Sequence, residues 1–157
     1  MPERSVRHDS FVIERTYPAT PSRVFEAWAD ADARDIWMDD PDHKSDGSSY
    51  ELDFRAGGHE RFGGINPEGR TYRYDALIYD IVPDRRIVYS YEMHEGENRT
   101  SVSLTTVEIA PVQRGATLTY TEQAVLLDGI EKPGEREQGW LVILDNLGTY
   151  LAERAAG

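Results

Sequence analysis

The sequence contains no cysteine, which excludes disulfide bonds, thiolate metal ligands and a cysteine nucleophile. No apolar run approaches the ~20 residues that a membrane-spanning helix needs, and residues 1–10 lack the apolar core of a secretory signal. Basic clusters are also missing, since Arg85 and Arg86 are the only basic doublet in a chain of net charge -12. We therefore expect a cytoplasmic protein whose partners include neither nucleic acid nor membrane.

Recognisable catalytic and metal-binding motifs are absent as well. His8, His43, His59 and His94 are scattered, without the spacing of a metal site. No Gly-x-Ser-x-Gly motif marks a serine nucleophile, and the paired glycines lack the helix and lysine of a phosphate loop. The sequence therefore predicts no metal and no cofactor.

What the sequence does contain is a succession of strands ended by one long helix. A length of 157 residues fits one domain, which we place at 9–157 after a flexible tail at 1–8. After the first strand, Thr20 and Pro21 predict the start of a short helix and Asp30 the start of a second, followed by a polar loop at 39–49. The predicted strands are 11–17, 50–54, 59–62, 72–82, 87–93, 100–110 and 116–126.

The closing segment, residues 134–154, has the pattern of an amphipathic helix. Its apolar stripe comprises Trp140, Ile143, Leu144, Leu147 and Leu151. Such a helix would be about 30 Å long, enough to cross a small domain. We expect it to lie along the concave face of an antiparallel sheet, with the functional site between helix and sheet.

Alternation along the strands predicts which side chains face that helix. Three charged residues occupy positions predicted to face inward: Arg73 and Asp75 on one strand and Glu122 on the last strand. Glu60 could join them, because it shares a face of its strand with Phe62. The apolar and aromatic sets predicted to face inward are Tyr50, Leu52 and Phe54; Leu77, Tyr79 and Ile81; Ile87, Tyr89, Tyr91 and Met93; and Leu118, Tyr120 and Ala124.

Five short motifs follow one another along the chain: PSRVFEAW at 21–28, DFRAGG at 53–58, PDRRI at 83–87, GATLTYTEQ at 115–123, and GW at 139–140 with LDNL at 144–147. Together they are similar to the proteins related to the activator of the 90-kDa heat-shock protein's ATPase, within the START-related, or SRPBCC, superfamily. The resemblance extends over about residues 9–152, although Trp37 and Met38 stand where many relatives carry two aromatic residues.

This resemblance implies an α+β helix-grip fold. In that fold a curved antiparallel sheet of six to seven strands wraps around a long C-terminal helix, and two short helices follow strand one. The superfamily includes carriers of hydrophobic ligands, cyclases, hydratases and co-chaperone domains, so the fold alone does not decide the function.

Three functions stay open. The first is a binding protein for a small hydrophobic or aromatic molecule. The expected contact residues are Phe54, Tyr79, Tyr89, Tyr91, Tyr120, Trp140, Ile143, Leu144 and Leu147. The second is a cyclase, hydratase or hydrolase that uses the same space. The third is a co-chaperone-like interaction domain with a chaperone partner, and a homodimer also stays open.

For the enzyme, the candidate catalytic groups are Glu122, Arg73 and Asp75. A carboxylate in an apolar cavity has a raised pKa, which suits general acid or base work. The alternative is an internal ion pair, because buried charges are usually paired, and we favour that alternative.

Overall fold

The computed structural model describes residues 4–38, 50–65 and 68–155 of the chain. Within them, seven antiparallel strands form one sheet in the order β1-β7-β6-β5-β4-β3-β2, which confirms the α+β helix-grip prediction. The predicted polar loop at 39–49 lies outside the described residues. The elements are β1 (Val6–Tyr17), α1 (Pro21–Ala29), α2 (Ala31–Trp37), β2 (Tyr50–Leu52), β3 (His59–Ile65), β4 (Thr71–Val82), β5 (Arg86–Glu95), β6 (Asn98–Val112), β7 (Gly115–Leu127) and α3 (Glu135–Ala155).

Strand β1 begins at Val6, five residues before the start that the sequence pattern predicts. Residues 6–8, which we assigned to the tail, pair with β7, and Val6 lies opposite Leu127. Their side chains are exposed, so they carry no apolar alternation that would identify a strand. Backbone pairing with the neighbouring strand therefore determines the structure of this stretch.

The two short helices begin where the capping residues predict. The Thr20 hydroxyl accepts from the Arg23 amide, and Pro21 occupies the first turn of α1. Asp30 ends α1 and caps α2 by accepting from the Ala33 amide. Because one residue separates the helices, Trp28 and Trp37 pack edge to face, with ring centroids 4.8 Å apart.

Helix α3 covers the inner face of the sheet with the predicted apolar stripe. Trp140, Leu144, Leu147 and Leu151 are buried, whereas Ile143 is half-buried. The Tyr17 hydroxyl donates to the Leu144 carbonyl oxygen at 2.8 Å and ties β1 to the middle of the helix. Each buried side chain of this size stabilises the fold by about 1.5–3 kcal/mol.

The predicted inner face of β4 is wrong along most of the strand. Tyr74, Ala76 and Ile78 point into the core, whereas Tyr79 is 56% exposed on the outer face. The register with β5 shifts between Ile78 and Asp80, and this irregularity returns Ile81 to the inner side. Arg73 and Asp75 indicate the outer face in the first half of the strand, but the apolar residues that follow at the same parity, Leu77, Tyr79 and Ile81, indicate the opposite, and the prediction relied on them.

The same correction moves two candidate catalytic residues out of the interior. Arg73 is exposed, and Asp75 pairs with Arg61 across the outer surface, with Arg61 Nε 3.1 Å from Asp75 Oδ1. Both alternate with Tyr74, whose side chain is buried on the opposite face. Neither residue belongs to the site between sheet and helix.

Two glycines allow a matched test of the backbone geometry. A Cβ on Gly115, at the β6–β7 turn, would lie 2.1 Å from the Tyr17 carbonyl oxygen, whereas a Cβ on Gly139 in α3 would meet nothing within 4 Å. We expect Gly115→Ala to lower the free energy of unfolding by about 1–3 kcal/mol through steric strain. Gly139→Ala should raise it by about 0.5–1 kcal/mol, because alanine favours a helix. Urea unfolding of both variants measures these changes, and equal effects would contradict the described packing.

Candidate functional site

Two buried ion pairs lie between the sheet and the helices, one at each side of an aromatic cluster. Arg34 on α2 pairs with Glu60 on β3, and Arg136 on α3 pairs with Glu122 on β7. Burying charges is costly unless they are paired and hydrogen-bonded. The hydrogen-bonding partners of these four residues therefore show how many polar groups of the interior serve to stabilise the fold.

The first pair joins α2 to the far side of the sheet. Arg34 Nη2 lies 2.7 Å from Glu60 Oε1, and both residues are 3% exposed. The hydroxyls of Tyr50 and Tyr74 also donate to Glu60, the second at 3.0 Å. Burial opposes the charge on Arg34, yet Glu60 and the neighbouring phenols more than offset it, so the pKa of the guanidinium rises above its usual value.

Aromatic rings enclose the Arg34 guanidinium. Its central carbon lies 4.8 Å from the centroid of Trp28 and 5.3 Å from that of Trp37. These contacts are cation–π interactions, which are strongest when the cation is removed from water.

The second pair centres on Glu122, whose side chain is fully buried. Its carboxylate accepts from the Tyr120 hydroxyl at 2.6 Å, from Ser103 at 2.8 Å and from Arg136 Nη1 at 3.1 Å. The Tyr91 hydroxyl lies 2.7 Å from both carboxylate oxygens. This dense set of donors matches the internal ion-pair alternative, with Arg136 as the partner in place of Arg73.

Arg136 extends this network toward the start of α3. Its Nη2 donates to Ser101 at 2.7 Å and to Glu131 at 2.8 Å, and its Nη1 donates to the Tyr91 hydroxyl at 2.7 Å. The Trp140 indole also donates to the Tyr91 hydroxyl, at 3.3 Å. This network attaches helix α3 to β5, β6 and β7 by polar contacts, in addition to its apolar stripe and the Tyr17 contact from β1.

The sequence-based prediction omitted both arginines, although a signal for each was present. Arg34 lies three residues before Trp37, and Arg136 lies four residues before Trp140. Residues at these spacings share one helical face, and both tryptophans are buried. A cation on the buried face of a helix is a reason to look for a buried carboxylate.

Several aromatic rings lie between the two ion pairs. Tyr74 stacks on Tyr91 with centroids 4.9 Å apart, and Tyr120 stacks on Trp140 at 4.3 Å. Trp28 lies parallel to Trp140 at 6.2 Å, so the rings continue from the sheet to α1. These contacts unite residues of α1, α3 and three strands in one cluster.

Most of the predicted contact residues come together here. Tyr89, Tyr91, Tyr120, Trp140, Leu144 and Leu147 are all buried in the core. Phe54 packs at its margin against Phe25, with centroids 5.6 Å apart, and Ile143 is half-buried. Tyr79 does not join the group, because it lies on the outer face.

Four buried polar atoms have no hydrogen-bonding partner among the described residues, but one of them, Glu131 Oε2, forms an ion pair with Arg136 Nη2 at 2.7 Å. The three that remain are Tyr89 Oη, Thr105 Oγ1 and Trp28 Nε1. Tyr89 and Thr105 lie opposite one another on β5 and β6, and Thr105 lies opposite Glu122 on β7. Burial raises the pKa of the Tyr89 phenol; Arg34 lowers it, while Tyr91, Glu60 and Glu122 raise it further. The Tyr89 hydroxyl therefore lies within the fields of both ion pairs.

Four tyrosines of the aromatic cluster, Tyr74, Tyr89, Tyr91 and Tyr120, predict a steep loss of stability at alkaline pH, to which Tyr17 and Tyr50 add because burial raises the pKa of each phenol. Burial raises the pKa of Tyr74, Tyr89, Tyr91 and Tyr120 above the ordinary value, so they stay protonated when folded but ionise near pH 10 when unfolded. The stability that these groups contribute is therefore complete below pH 10 and falls above it, by about 5 kcal/mol per pH unit from these four tyrosines alone. As the pH rises, the absorbance of phenolate and the loss of the folded circular dichroism signal should change together. Ionisation of these four tyrosines while the chain stays folded would contradict this prediction.

Among the residues at 4–38, 50–65 and 68–155, no histidine, aspartate and glutamate side chains form a group of three or more that could hold a metal ion. No described helix combines the length and apolar character needed to cross a bilayer.

Comparison with known proteins identifies the relatives of this chain. The family described as Activator of Hsp90 ATPase homolog 1-like protein matches residues 18–152. An uncharacterized protein from Rhizobium leguminosarum is 42% identical, with a TM-score of 0.91 over 96% of this chain and 99% of that one. Protein Mll3558 from Rhizobium loti is 45% identical, with a TM-score of 0.86 over 94% and 99%.

A more distant structure shares the fold alone. Protein CV1439 from Chromobacterium violaceum is 22% identical, with a TM-score of 0.71 over 91% of this chain and 97% of that one. No curated protein matches the chain significantly.

Proposed function

Since this chain belongs to the Activator of Hsp90 ATPase homolog 1-like family, whose fold is suited to binding ligands, we propose that it binds a small, mainly aromatic molecule. The molecule lies between the inner face of the sheet and helix α3. Tyr89, Tyr91, Tyr120 and Trp140 provide flat contact surfaces for it, and aromatic side chains of this kind line small-molecule sites.

The observation that carries this proposal is the set of three buried polar atoms without a partner among the described residues. Tyr89 Oη, Thr105 Oγ1 and Trp28 Nε1 would each cost about 1–3 kcal/mol if left unsatisfied. Around them, polar side chains such as Glu60, Glu122 and Arg136 are hydrogen-bonded. A bound molecule with polar atoms would satisfy groups that the protein leaves unpaired.

Glu122 supports binding over acid–base catalysis as the main role of this interior. Its oxygens already accept from Tyr91, Tyr120, Ser103 and Arg136. A general base must reach the proton it removes within hydrogen-bonding distance, and the four donors surround the carboxylate instead. We assign Glu122 to holding Tyr91 and Tyr120 in position beside the ligand.

Native mass spectrometry and thermal unfolding with a panel of neutral aromatic molecules, of one to three rings, test the proposal. We expect at least one to form a 1:1 complex, raise the melting temperature and quench the fluorescence of the buried tryptophans. Tyr79→Ala, on the outer face, is the control and should bind equally well. If no member of the panel binds to protein freed of copurified molecules by refolding, the proposal fails.

A further inference from the structure

The three unpartnered groups have one chemical property in common: each can donate a hydrogen bond. The Trp28 indole can only donate, whereas the Tyr89 and Thr105 hydroxyls donate or accept. A ligand that carries only donors would leave the indole unpaired, whereas a ligand acceptor can satisfy any of the three. The polar group that fits this part of the interior is therefore an acceptor.

The formal charges of this region determine which kinds of acceptor can be buried there. The two guanidinium groups of Arg34 and Arg136 face three carboxylates, those of Glu60, Glu122 and Glu131. Arg34 Nη2 contacts Glu60, and both Nη atoms of Arg136 contact carboxylates. Positive charge is thus already compensated, and an anionic ligand would be desolvated without a counter-ion.

A cationic ligand is disfavoured for a different reason. The carboxylates carry the negative charge, but their oxygens already accept hydrogen bonds from arginine and tyrosine side chains. Glu131, which carries the excess charge, is 20% exposed, so solvent screens it more than the others. Among the charged groups that act on the Tyr89 phenol, Arg34 has a larger effect than Glu60 or Glu122, so an ammonium group placed there would be repelled by that like charge.

Resting on the proposed function, we infer that the ligand is a neutral aromatic molecule with a hydrogen-bond-accepting oxygen, as in an aryl ketone. Tyr89 and Thr105, which lie opposite one another on β5 and β6, donate hydrogen bonds to that oxygen, together with Trp28. They thereby favour this ligand over a molecule that lacks the oxygen. A matching hydrocarbon leaves these donors unpaired, a penalty that corresponds to about 10-fold or more in affinity.

A matched series of naphthalenes separates these possibilities. The ketone is 2-acetonaphthone; in 2-isopropenylnaphthalene a CH₂ group replaces the carbonyl oxygen; 2-naphthoate is the anion and 2-naphthylmethylammonium the cation. We expect the ketone to bind at least about 10-fold more tightly than the hydrocarbon. Neither ion should bind measurably at concentrations at which the ketone saturates the protein.

Two variants test whether the named hydroxyls are responsible. Tyr89→Phe and Thr105→Val each remove one hydroxyl with little change of shape, and each should reduce the preference for the ketone over the hydrocarbon to about threefold or less. Affinity for the hydrocarbon should not fall in either variant. Tyr79→Phe, on the outer face, should leave both affinities unchanged.

The outcomes distinguish this inference from the proposed function. If the hydrocarbon or either ion binds as tightly as the ketone, the inferred class is wrong while binding itself stands. If the preference for the ketone survives in both variants, Tyr89 and Thr105 do not provide it, and the inference is overturned. If none of the four probes binds, the inference fails, and the wider aromatic panel then decides the proposed function separately.

Discussion

Replacing Glu122 with leucine is expected to lower the free energy of unfolding by at least about 4 kcal/mol. The substitution removes the acceptor shared by Tyr91, Tyr120, Ser103 and Arg136, all of which lie inside the fold. A buried donor that has no acceptor pays the full free energy of its desolvation. The loss of stability therefore exceeds the loss expected when a surface ion pair is removed. Urea unfolding followed by tryptophan fluorescence measures the change.

Three comparison variants separate the charge from the shape of this side chain. Glu122→Gln keeps one acceptor oxygen and should cost about half as much. Arg136→Met added to Glu122→Leu should recover part of the loss, because the unpaired cation is then gone. Glu108→Leu, on the exposed face of β6, should change stability by no more than about 0.5 kcal/mol. A loss below about 1 kcal/mol for Glu122→Leu would show that the network is not an important part of the fold.

Removing single hydroxyls from two tyrosines of β5 is expected to change stability in opposite directions. The Tyr91 hydroxyl donates to Glu122 and accepts from Arg136 and Trp140, so Tyr91→Phe should cost about 1.5–3 kcal/mol. The Tyr89 hydroxyl has no described partner, so Tyr89→Phe in the ligand-free protein should raise stability by about 1 kcal/mol. In a domain of this size 1 kcal/mol corresponds to about 2–4 °C in melting temperature.

This pair is informative because nearly everything else is matched. Both tyrosines lie on the inner face of one strand, both are buried, and each variant loses a single oxygen atom. Tyr79→Phe, which removes an exposed hydroxyl, provides the baseline. Destabilisation of equal size in Tyr89→Phe and Tyr91→Phe would mean that Tyr89 is hydrogen-bonded in the free protein, and the argument for a ligand group beside it would fail.

The architecture was largely readable from the sequence because its signals are local. Thr20 and Asp30 cap helices through residues three positions away, and the stripe of α3 repeats within one segment. Alternation also identified the inner face of β5 and β7. It failed on β4, where apolar residues occur at both parities, the charges of Arg73 and Asp75 were assigned to the inside, and the register shift near Ile78 changes the parity.

The candidate site was readable only in part because its polar partners are distant in sequence. Glu122 was identified from its strand parity, but Arg136 approaches it only after α3 folds back over the sheet. Arg34 and Glu60 meet because α2 packs beside β2 and the long Arg34 side chain reaches from there to the neighbouring strand β3. Alternation and helical periodicity predict which side of a strand or helix faces the core. They do not predict which charged residue on another element will pair with a charge on that side.

The unpartnered groups were the least accessible to sequence analysis. Tyr89 was predicted to line the site, but its difference from Tyr91 depends on hydrogen bonds that no pattern encodes. Thr105 and Trp28 were not singled out for their polar atoms, because a threonine in a strand and a tryptophan in a helix are ordinary core residues. The structure distinguishes the Tyr91 hydroxyl, which is hydrogen-bonded, from the Tyr89 hydroxyl, which has no partner among the described residues.

The most direct test of the central claim is a crystal structure of the protein grown with 2-acetonaphthone. The account predicts a naphthalene ring between the inner face of the sheet and α3, with the ketone oxygen about 3 Å from Tyr89 Oη, Thr105 Oγ1 or Trp28 Nε1. A ketone bound only on the outer face of the sheet, or an interior in which protein side chains pair all three groups, would contradict it.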